Sequence, residues 1–264
     1  MPESPGPRPS SARVWNFLLG GTNNDSADRR YAAELEQAYR GTRRIAVSSR
    51  RFLGRAAGWA AEQGISQFVD LGSGCPPPPH VHQMARAVRP GAVAAYADSD
   101  AETAAELWAL LAGDDRKGTA VVTADYRDPP AVLAHPGLLE VIDPGAPVCL
   151  TAAMTLHLMP PRVAAAVTAL WVRAVAPGSI VVLSVPRFDD AAAWGRLTAM
   201  PAAAGAHNFR PAEFAALFAG LEVVPPGIGP ATWLRPGGAP CAAGGTPTGG
   251  YVLAGIGVKV RLRR

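Results

Sequence analysis

The spacing of apolar residues changes once along this chain, at about residue 65. Before that point, apolar side chains recur every three or four residues, which is the period of an amphipathic helix. The pattern predicts three helices, around residues 14–19, from the polar cluster 22–25 to about 39, and over about 45–63 with Gly64 as its C-cap. No strand is predicted in this first segment.

After residue 65, short apolar runs alternate with helical ones. Strands are predicted over residues 67–71, 92–97, 119–124, 148–153, 180–185, 221–224 and 251–260. Helices are predicted over residues 80–88, 101–111, 130–139, 161–175 and 211–219. This alternation is typical of a largely parallel sheet with helices on both faces. The proline- and glycine-rich residues 225–250 are predicted to form a long loop.

Composition and the opening residues narrow the class of protein. The chain has 264 residues, 48% of them hydrophobic, which is enough for one substantial core. No apolar run reaches the ~20 residues that span a bilayer. Residues 1–10 lack the layout of a signal peptide, so we expect a disordered leader, a cytoplasmic protein and no membrane partner. The odd set Cys75, Cys149 and Cys241 has no C-x-x-C spacing, so neither disulfides nor a metal site is predicted.

The net charge is only +4, and arginines concentrate in two stretches. These are Arg43, Arg44, Arg50, Arg51, Arg55, Arg261, Arg263 and Arg264. We interpret them as the solvated faces of a helix and a tail, because no aromatic platform or recognised nucleic-acid motif accompanies them. No nucleic-acid partner is therefore expected, and a homodimer is left open.

The first predicted strand ends in a carboxylate and opens into a glycine turn. Asp70 lies at its carboxyl end, where open α/β sheets bind ligands. Gly72 and Gly74 carry no Cβ, so the backbone can turn sharply and approach a ligand. Asp98 and Asp125 follow at the ends of the next two strands. Carboxylates at the ends of three successive strands suggest one ligand that contacts all three strand ends.

The chemistry of these positions indicates a nucleoside with a charged amino-acid end. A carboxylate after the second strand can accept from both ribose hydroxyls, one after the third can accept from the adenine amine, and Asp70 can anchor an ammonium group. The main alternative is a nicotinamide dinucleotide, whose pyrophosphate needs backbone N–H donors. Residues 76–79 are all proline, which has no N–H. S-adenosylmethionine has no phosphate and is therefore favoured over NAD.

Several segments resemble the class I S-adenosylmethionine-dependent methyltransferases, and more narrowly an actinobacterial methyltransferase family first catalogued as a domain of unknown function. They are residues 12–21, 67–74, 96–100, 123–128 and 251–259. The resemblance implies an α/β fold: a three-layer Rossmann-like sheet of about seven strands, the last antiparallel, with a helical N-terminal cap. We expect a leader at 1–10, the cap at 11–64 and an S-adenosylmethionine-binding domain at 65–264 with an insertion at 186–210.

The resemblance also implies which residues bind ligands. The expected cofactor-binding residues are Asp70, Gly72, Ser73, Gly74, His82, Asp98, Ser99, Asp125 and Tyr126. Asp100 competes closely with Asp98 for the ribose. N-terminal helices commonly cover the pocket in such folds, so the expected substrate-binding residues are Arg13, Trp15, Asn16 and Phe17. Phe188 and Trp194, in the insertion, are further candidates for an apolar pocket.

The expected reaction is methyl transfer to an oxygen or nitrogen of a small molecule, in specialised metabolism. The sulfonium methyl is already activated, so the protein must align the acceptor and remove its proton where it has one. His157, just past the fourth strand, is the candidate catalytic base because its unperturbed pKa lies near neutrality. A structural histidine at a strand end is the alternative. His80, His135 and His207 are expected at the surface.

A second hypothesis is a protein of the same fold that binds S-adenosylmethionine without transferring its methyl group. It would be a structural partner or a non-methylating catalyst such as a cyclase. This hypothesis rests on residues 75–83, where four prolines and His80 replace the polar run typical of the family, and on the polar residues 151–157. A third hypothesis, an RNA methyltransferase, is disfavoured by the low net charge.

Overall fold

The computed structural model describes residues 8–200, 203, 205–232, 234–238 and 249–260. The predicted leader falls mostly outside these residues, as do Cys241 and the arginines at 261, 263 and 264. The two cysteines that are described, Cys75 and Cys149, are buried free thiols.

Three helices precede the first strand, as the apolar spacing predicts. They are α1 (Ser11–Leu18), α2 (Ser26–Ala38) and α3 (Thr42–Glu62). The polar cluster before α2 supplies its cap. The Asp25 side chain accepts hydrogen bonds from the backbone N–H groups of Ala27 and Asp28, and the Asp28 side chain accepts one from the Asp25 N–H. This reciprocal capping box fixes the start of α2.

Within the described residues, eight strands form one sheet. They are β1 (Gln67–Leu71), β2 (Val93–Asp98), β3 (Thr119–Thr123), β4 (Cys149–Ala153), β5 (Ile180–Phe188), β6 (Glu222–Val223), β7 (Gly229–Pro230) and β8 (Gly250–Val258). Their order is β3-β2-β1-β4-β5-β8-β6, with β7 also paired to β8. β1 to β5 are parallel, and β8 runs antiparallel to its neighbours. The predicted sheet, with its last strand antiparallel, is confirmed.

The remaining helices lie on both faces of the sheet. They are α4 (Val81–Arg86), α5 (Ala101–Leu110), α6 (Pro129–Leu133), α7 (Pro136–Leu139), α8 (Pro161–Ala174), α9 (Ala191–Thr198) and α10 (Pro211–Ala215). Phe68 and Val69, successive residues of β1, belong to separate cores because side chains alternate along a strand. Phe68 packs with residues of α3, α4 and α5, and Val69 with residues of α6, α7 and α8.

The helix predicted over 211–219 ends as α10 at Ala215, and the predicted loop 225–250 contains the two-residue strand β7. Two further boundaries differ from the prediction at prolines. The helix predicted over 130–139 is divided into α6 and α7, because Pro136 cannot continue a helix and instead starts a new one. β5 continues past residue 185 to Phe188. Its pairing with β4 stops at Ser184, so Pro186 has only β8 beside it, and an edge position tolerates a missing N–H. No helix among the described residues is long and apolar enough to cross a membrane.

Candidate functional site

A cavity of about 540 Å³ lies at the carboxyl ends of β1 to β4, with α1, α2 and α3 forming part of its wall. The wall includes most of the residues predicted from sequence: Trp15, Asp70, Gly72, Ser73, Gly74, Asp98, Ser99, Asp125, Tyr126 and His157. Phe188 and Trp194 also line it. Arg13, Asn16, Phe17 and His82 do not line it, and their contacts are described below.

The turn after β1 has little hydrogen-bonding capacity left for a ligand's phosphate. Gly72 and Gly74 have φ angles of 62° and 59°, in the left-handed region that glycine adopts readily. The N–H groups of Gly72 and Ser73 donate to the Ala97 carbonyl at 2.8 and 3.3 Å. The Gly74 N–H donates to Asp98 Oδ2 at 2.9 Å. A diphosphate would therefore find occupied donors and a repelling carboxylate, as the sequence argument against NAD anticipates.

Asp70 is a buried carboxylate, 5% exposed. The strand register sets it beside Thr151 of β4, whose hydroxyl donates to Asp70 Oδ1. Burial raises the pKa of Asp70 to about 6, against the opposing effects of the Thr151 hydrogen bond and the positive charge of Arg50. Above that pH, Asp70 presents a negative charge with little hydration, which favours a ligand cation.

Asp98 and Asp100 differ in what already occupies their carboxylates. Asp98 accepts one hydrogen bond on each oxygen, from the N–H groups of Gly74 and Asp100. Asp100 is the N-cap of α5 and accepts from the Glu102 N–H and the Thr103 hydroxyl, both at 3.0 Å. Both carboxylates line the cavity, and each of their oxygens keeps acceptor capacity for a ribose hydroxyl. Asp98 stays the predicted ribose acid, with Asp100 as its competitor.

The carboxylate after β3 is paired, in contrast to that of Asp70. Arg127 donates to both oxygens of Asp125 from its Nε and Nη2 atoms, at 2.5 to 2.9 Å. These hydrogen bonds lower the pKa of Asp125. The Asp125 and Arg127 side chains are 37% and 60% exposed. At the predicted adenine end, the negative charge is therefore neutralised at the mouth of the cavity.

Of the substrate-binding residues predicted in α1, some line the cavity and others hold α1 against neighbouring elements. Trp15 lines the cavity. Arg13 points elsewhere: it pairs with Asp28 at 2.9 Å, Glu106 at 3.0 Å and Glu102 at 3.2 Å, and so ties α1 to α2 and α5. The structure does not bring Arg13 to the cavity.

Asn16 and Phe17 also belong to the framework. The buried Asn16 donates from Nδ2 to the Cys75 carbonyl at 2.8 Å, which fastens α1 to the loop after the glycine turn. A Cβ on Gly21 would lie 2.4 Å from Asn16 Oδ1, so only glycine fits there. The ring of Phe17 lies 5.4 Å from the Arg43 guanidinium. The segment 12–21 therefore positions the cap on the loop.

His82 and His80 lie in a buried polar cluster outside the cavity. His82 Nδ1 is 2.7 Å from the Tyr96 hydroxyl and Nε2 is 3.3 Å from Asp115. The prediction that His80 lies at the surface is wrong: it is 2% exposed, and its ring stacks on His82 with centroids 5.9 Å apart. Burial lowers the pKa of His80 to about 4.

His157 occupies the 3₁₀ turn Leu156–Leu158 directly after β4 and lines the cavity. Its Nδ1 atom is buried and has no hydrogen-bond partner among the described residues. Burial, reinforced by nearby His207, lowers the pKa of His157 to about 4 rather than leaving it near neutrality. The imidazole is therefore neutral at physiological pH, able to accept a proton but a weak base.

Arg50 is a wall residue that the sequence reading missed. The surface interpretation of the α3 arginines is wrong for it: Arg50 lines the cavity, and its Nη2 atom donates to the Pro79 and Pro77 carbonyls at 2.5 and 3.3 Å. A signal was present, since Arg50 follows the buried Ala46 by four residues and precedes the buried Leu53 by three. That spacing places it on the buried side of α3.

Met154, at the carboxyl end of β4, was also missed. It lines the cavity and has a φ angle of 58°, in the left-handed region that a side chain makes costly. Such local strain is typical of functional sites and persists only where surrounding contacts enforce it. The sequence carried no signal for this conformation, because Met has no preference for it.

The sheet order, the antiparallel β8 and the acidic strand ends define a class I S-adenosylmethionine-dependent methyltransferase. A family model described as S-adenosyl methyltransferase matches residues 5–260. The chain therefore belongs to this S-adenosyl methyltransferase family. The family resemblance, the enzyme class and the cofactor inferred from the sequence are confirmed.

Solved structures agree with this assignment. A candidate methyltransferase of Thermobifida fusca YX is 34% identical, with a TM-score of 0.83 over 96% of each chain. A DUF574 family protein of Streptomyces avermitilis MA-4680 is 26% identical, with a TM-score of 0.83 over 96% of this chain and 98% of that one. The mitomycin 7-O-methyltransferase MmcR shares the fold at 18% identity and a TM-score of 0.50, covering 94% of this chain and 69% of its own. A comparison with curated proteins finds no match.

The residues present fit S-adenosylmethionine. The backbone N–H groups of Gly72, Ser73 and Gly74 are already occupied, while Asp70, Asp98 and Asp125 line one cavity. Ser73, between the two glycines of the turn, has a buried hydroxyl with no hydrogen-bond partner among the described residues. Such an atom is costly unless a ligand or water satisfies it.

Proposed function

We propose that this protein transfers a methyl group from S-adenosylmethionine to an oxygen or nitrogen of a small, largely apolar molecule, in specialised metabolism. The observation that carries the proposal is an apolar wall in the same cavity as the three carboxylates. It comprises Trp15, Leu18, Leu35, Ile45, Leu53, Met154, Leu158, Phe188, Trp194 and Leu197. A wall of this composition favours an aromatic or aliphatic acceptor, because burying apolar surface is its main source of affinity.

The helical cap favours a small acceptor over a polymer. Residues of α1, α2, α3 and α9 all contribute to the wall, so the acceptor is surrounded by side chains from several elements. Phe188 and Trp194 present adjacent rings, with centroids 5.4 Å apart, on which a flat molecule can pack. Enclosure also excludes water from the reacting atoms.

His157 is proposed to accept the proton of the acceptor. When bound, S-adenosylmethionine supplies an activated methyl group on its sulfonium. The neutral His157 ring can take a hydrogen bond from an acceptor O–H or N–H, which orients the acceptor lone pair. Because the pKa of His157 is about 4, it suits a phenolic or enolic hydroxyl or a neutral amine better than an aliphatic alcohol.

Two measurements test the proposed function. Isothermal titration with S-adenosylhomocysteine should show binding, and no binding at millimolar ligand contradicts the proposal. Incubation with S-adenosylmethionine and a panel of phenols, enols and aromatic amines should yield a product heavier by one methyl group. A His157→Gln variant should bind S-adenosylhomocysteine normally but methylate phenols more slowly. An unchanged rate would remove His157 from the reaction.

The alternative of a non-methylating protein rested on the proline-rich departure at residues 75–83. In this structure, backbone carbonyls of this proline-rich segment hold the N-terminal helices in position. The Cys75 carbonyl accepts from Asn16, and the Pro77 and Pro79 carbonyls accept from Arg50. These contacts join the loop to α1 and α3, which supports the methyl-transfer proposal. A substrate that is isomerised without a change of mass would favour the alternative.

A further inference from the structure

Arg50 carries an incompletely compensated positive charge inside the cavity. Among the described residues no carboxylate lies within ion-pair distance of it, and its Nε atom is buried without a hydrogen-bond partner. The hydrogen bonds it does make go to two neutral carbonyls, those of Pro77 and Pro79. A partly buried cation without an ion-pair partner is incompletely compensated, so this arrangement favours an anion in the cavity.

The other cationic side chain in the wall is already paired. Arg127 forms a bidentate ion pair with Asp125 at the exposed mouth. His157 is neutral at physiological pH, because its pKa is about 4. Within the described part of the wall, Arg50 is therefore the cation available to an incoming anion.

Asp70 lies close enough to Arg50 for each charge to act on the other across the cavity wall. The positive charge of Arg50 stabilises the Asp70 carboxylate, and Asp70 in turn stabilises the guanidinium. Both line the same cavity, yet they do not form a direct ion pair in this structure. A ligand that carries an ammonium and a carboxylate on one carbon can satisfy both charges together.

We propose that Arg50 binds the carboxylate of the methionine end, while Asp70 binds its ammonium group. Arg50 is then a specificity-determining residue that separates amino-acid-bearing adenosine compounds from those that lack the carboxylate. This inference rests on the proposed function, because it assumes that S-adenosylmethionine occupies this cavity. The inference adds Arg50 to the cofactor site, so that α3 binds the ligand directly and also covers the cavity.

The first test changes the ligand and leaves the protein intact. Isothermal titration of the full chain compares S-adenosylhomocysteine, its decarboxylated analogue and 5′-methylthioadenosine, which lacks the whole amino-acid end. Removing only the carboxylate should weaken binding by roughly 10- to 100-fold, as expected for a charge-assisted hydrogen bond. Equal affinity for S-adenosylhomocysteine and the decarboxylated analogue would overturn the inference.

The second test changes the protein. Arg50→Gln should lose most of its affinity for S-adenosylhomocysteine and little of its affinity for the decarboxylated analogue and 5′-methylthioadenosine. Arg51→Gln is the matched control, because Arg51 is the next residue of α3 and is exposed. Arg50→Lys should recover part of the binding, since it keeps the charge but loses the planar fork. An Arg50→Gln variant that weakens all three ligands equally contradicts the inference.

Failure of this inference can be distinguished from failure of the proposed function. A wild-type protein that binds none of the three ligands contradicts the proposed function. A wild-type protein that binds S-adenosylhomocysteine no better than the decarboxylated analogue keeps the cofactor but removes the role of Arg50. Should Arg50→Gln fail to fold through loss of the Pro77 and Pro79 contacts, the ligand comparison on the wild type still decides.

Discussion

The charged side chains at the two ends of the cavity differ in burial and in pairing. At one end, Asp70 and Arg50 lie in the wall without a direct ion pair, and Asp70 is almost fully buried. At the other end, Asp125 and Arg127 neutralise each other in an exposed bidentate pair. Buried charges are poorly hydrated and gain much from a ligand partner, whereas exposed pairs are screened and contribute little. Ligand affinity should therefore come mainly from the buried end.

This contrast explains how the same residue type can serve two purposes. Both ends use an aspartate at a strand end, which sequence alone does not distinguish. Burial raises the pKa of Asp70 to about 6, while hydrogen bonds from Arg127 lower the pKa of Asp125. At the buried end, the Asp70 carboxylate is poorly hydrated and can gain a ligand cation as its partner. At the exposed end, the Asp125 carboxylate is already paired with Arg127. Each prediction below tests this contrast through binding.

The largest effect is expected at Asp70. Asp70→Asn should weaken S-adenosylhomocysteine binding by roughly 100-fold, because the ligand ammonium loses its buried counter-charge. Isothermal titration measures the change. Asp114→Asn is the control: its side chain is 90% exposed and pairs only with Lys117. An Asp70→Asn variant that binds like the control would show that the buried end does not dominate.

The second effect is a pH dependence confined to the buried end. The pKa of Asp70 is raised to about 6, so its carboxylate becomes protonated as the pH falls below that value and can no longer pair with an ammonium group. Affinity for S-adenosylhomocysteine should be constant above pH 7 and roughly tenfold weaker near pH 5. The lowered pKa of Asp125 keeps the other end ionised there.

Two controls isolate the source of that pH dependence. Binding of 5′-methylthioadenosine, which does not reach the buried end, should stay flat between pH 7 and pH 5. Asp70→Asn should also give a flat profile with S-adenosylhomocysteine. A tenfold loss for both ligands would assign the titration to another group.

Smaller changes are expected at the exposed end. Asp125→Asn should weaken S-adenosylhomocysteine and 5′-methylthioadenosine alike, by about two- to fivefold, since one exposed hydrogen bond is affected. Arg127→Gln should leave binding unchanged or tighten it by up to about threefold, because Asp125 no longer has to release an arginine before accepting from the adenine amine. Raising the salt concentration should reduce the difference between the variants. An Asp125→Asn loss as large as that of Asp70→Asn would refute the contrast.

The smallest binding effect is expected at His82, which lies outside both ends. His82→Asn should keep the dissociation constant of S-adenosylhomocysteine within about twofold while lowering the free energy of unfolding by about 1–3 kcal/mol, because it breaks buried hydrogen bonds to Tyr96 and Asp115. Chemical denaturation measures the stability. His135→Asn is the matched control, since His135 caps the short α7 and asparagine also caps helices. A large loss of binding in His82→Asn would place this residue in the cofactor site.

Most of the sheet could be predicted from the sequence because its signals are local. β1 was predicted at the residues where it lies, since Phe68, Val69 and Leu71 form a short apolar run before a glycine turn. The aspartates at the ends of β1 and β2 followed from the same strands. Strand ends were less accurate, as for β5, because its extension depends on pairing with β8 rather than on its own sequence.

The functional meaning of the site residues was harder to predict because burial is a tertiary property. Arginine is usually found at the protein surface. Only the spacing of Arg50 from the buried residues Ala46 and Leu53 of α3 indicated that it lies on the buried side of the helix. The pKa of His157 depends on its burial in the folded protein, which lowers it to about 4 from the near-neutral unperturbed value. His82 was predicted to bind the cofactor and Asn16 the substrate, yet their side chains form hydrogen bonds that hold the framework. The predicted division of the chain at residue 64 stays a prediction.

The hydroxyl of Tyr39 accepts a hydrogen bond from the Gly250 N–H at 2.7 Å and donates to the Gly250 carbonyl at 3.1 Å, joining residues 211 positions apart. A Cβ on Gly250 would lie 2.5 Å from the Phe188 ring, so this junction is tightly packed. During synthesis, α2 and α3 emerge long before β8 exists to receive them. Loop closure over such a span is slow. The cavity wall beside Phe188 is therefore expected to reach its final packing late in folding, once β8 has paired with β5.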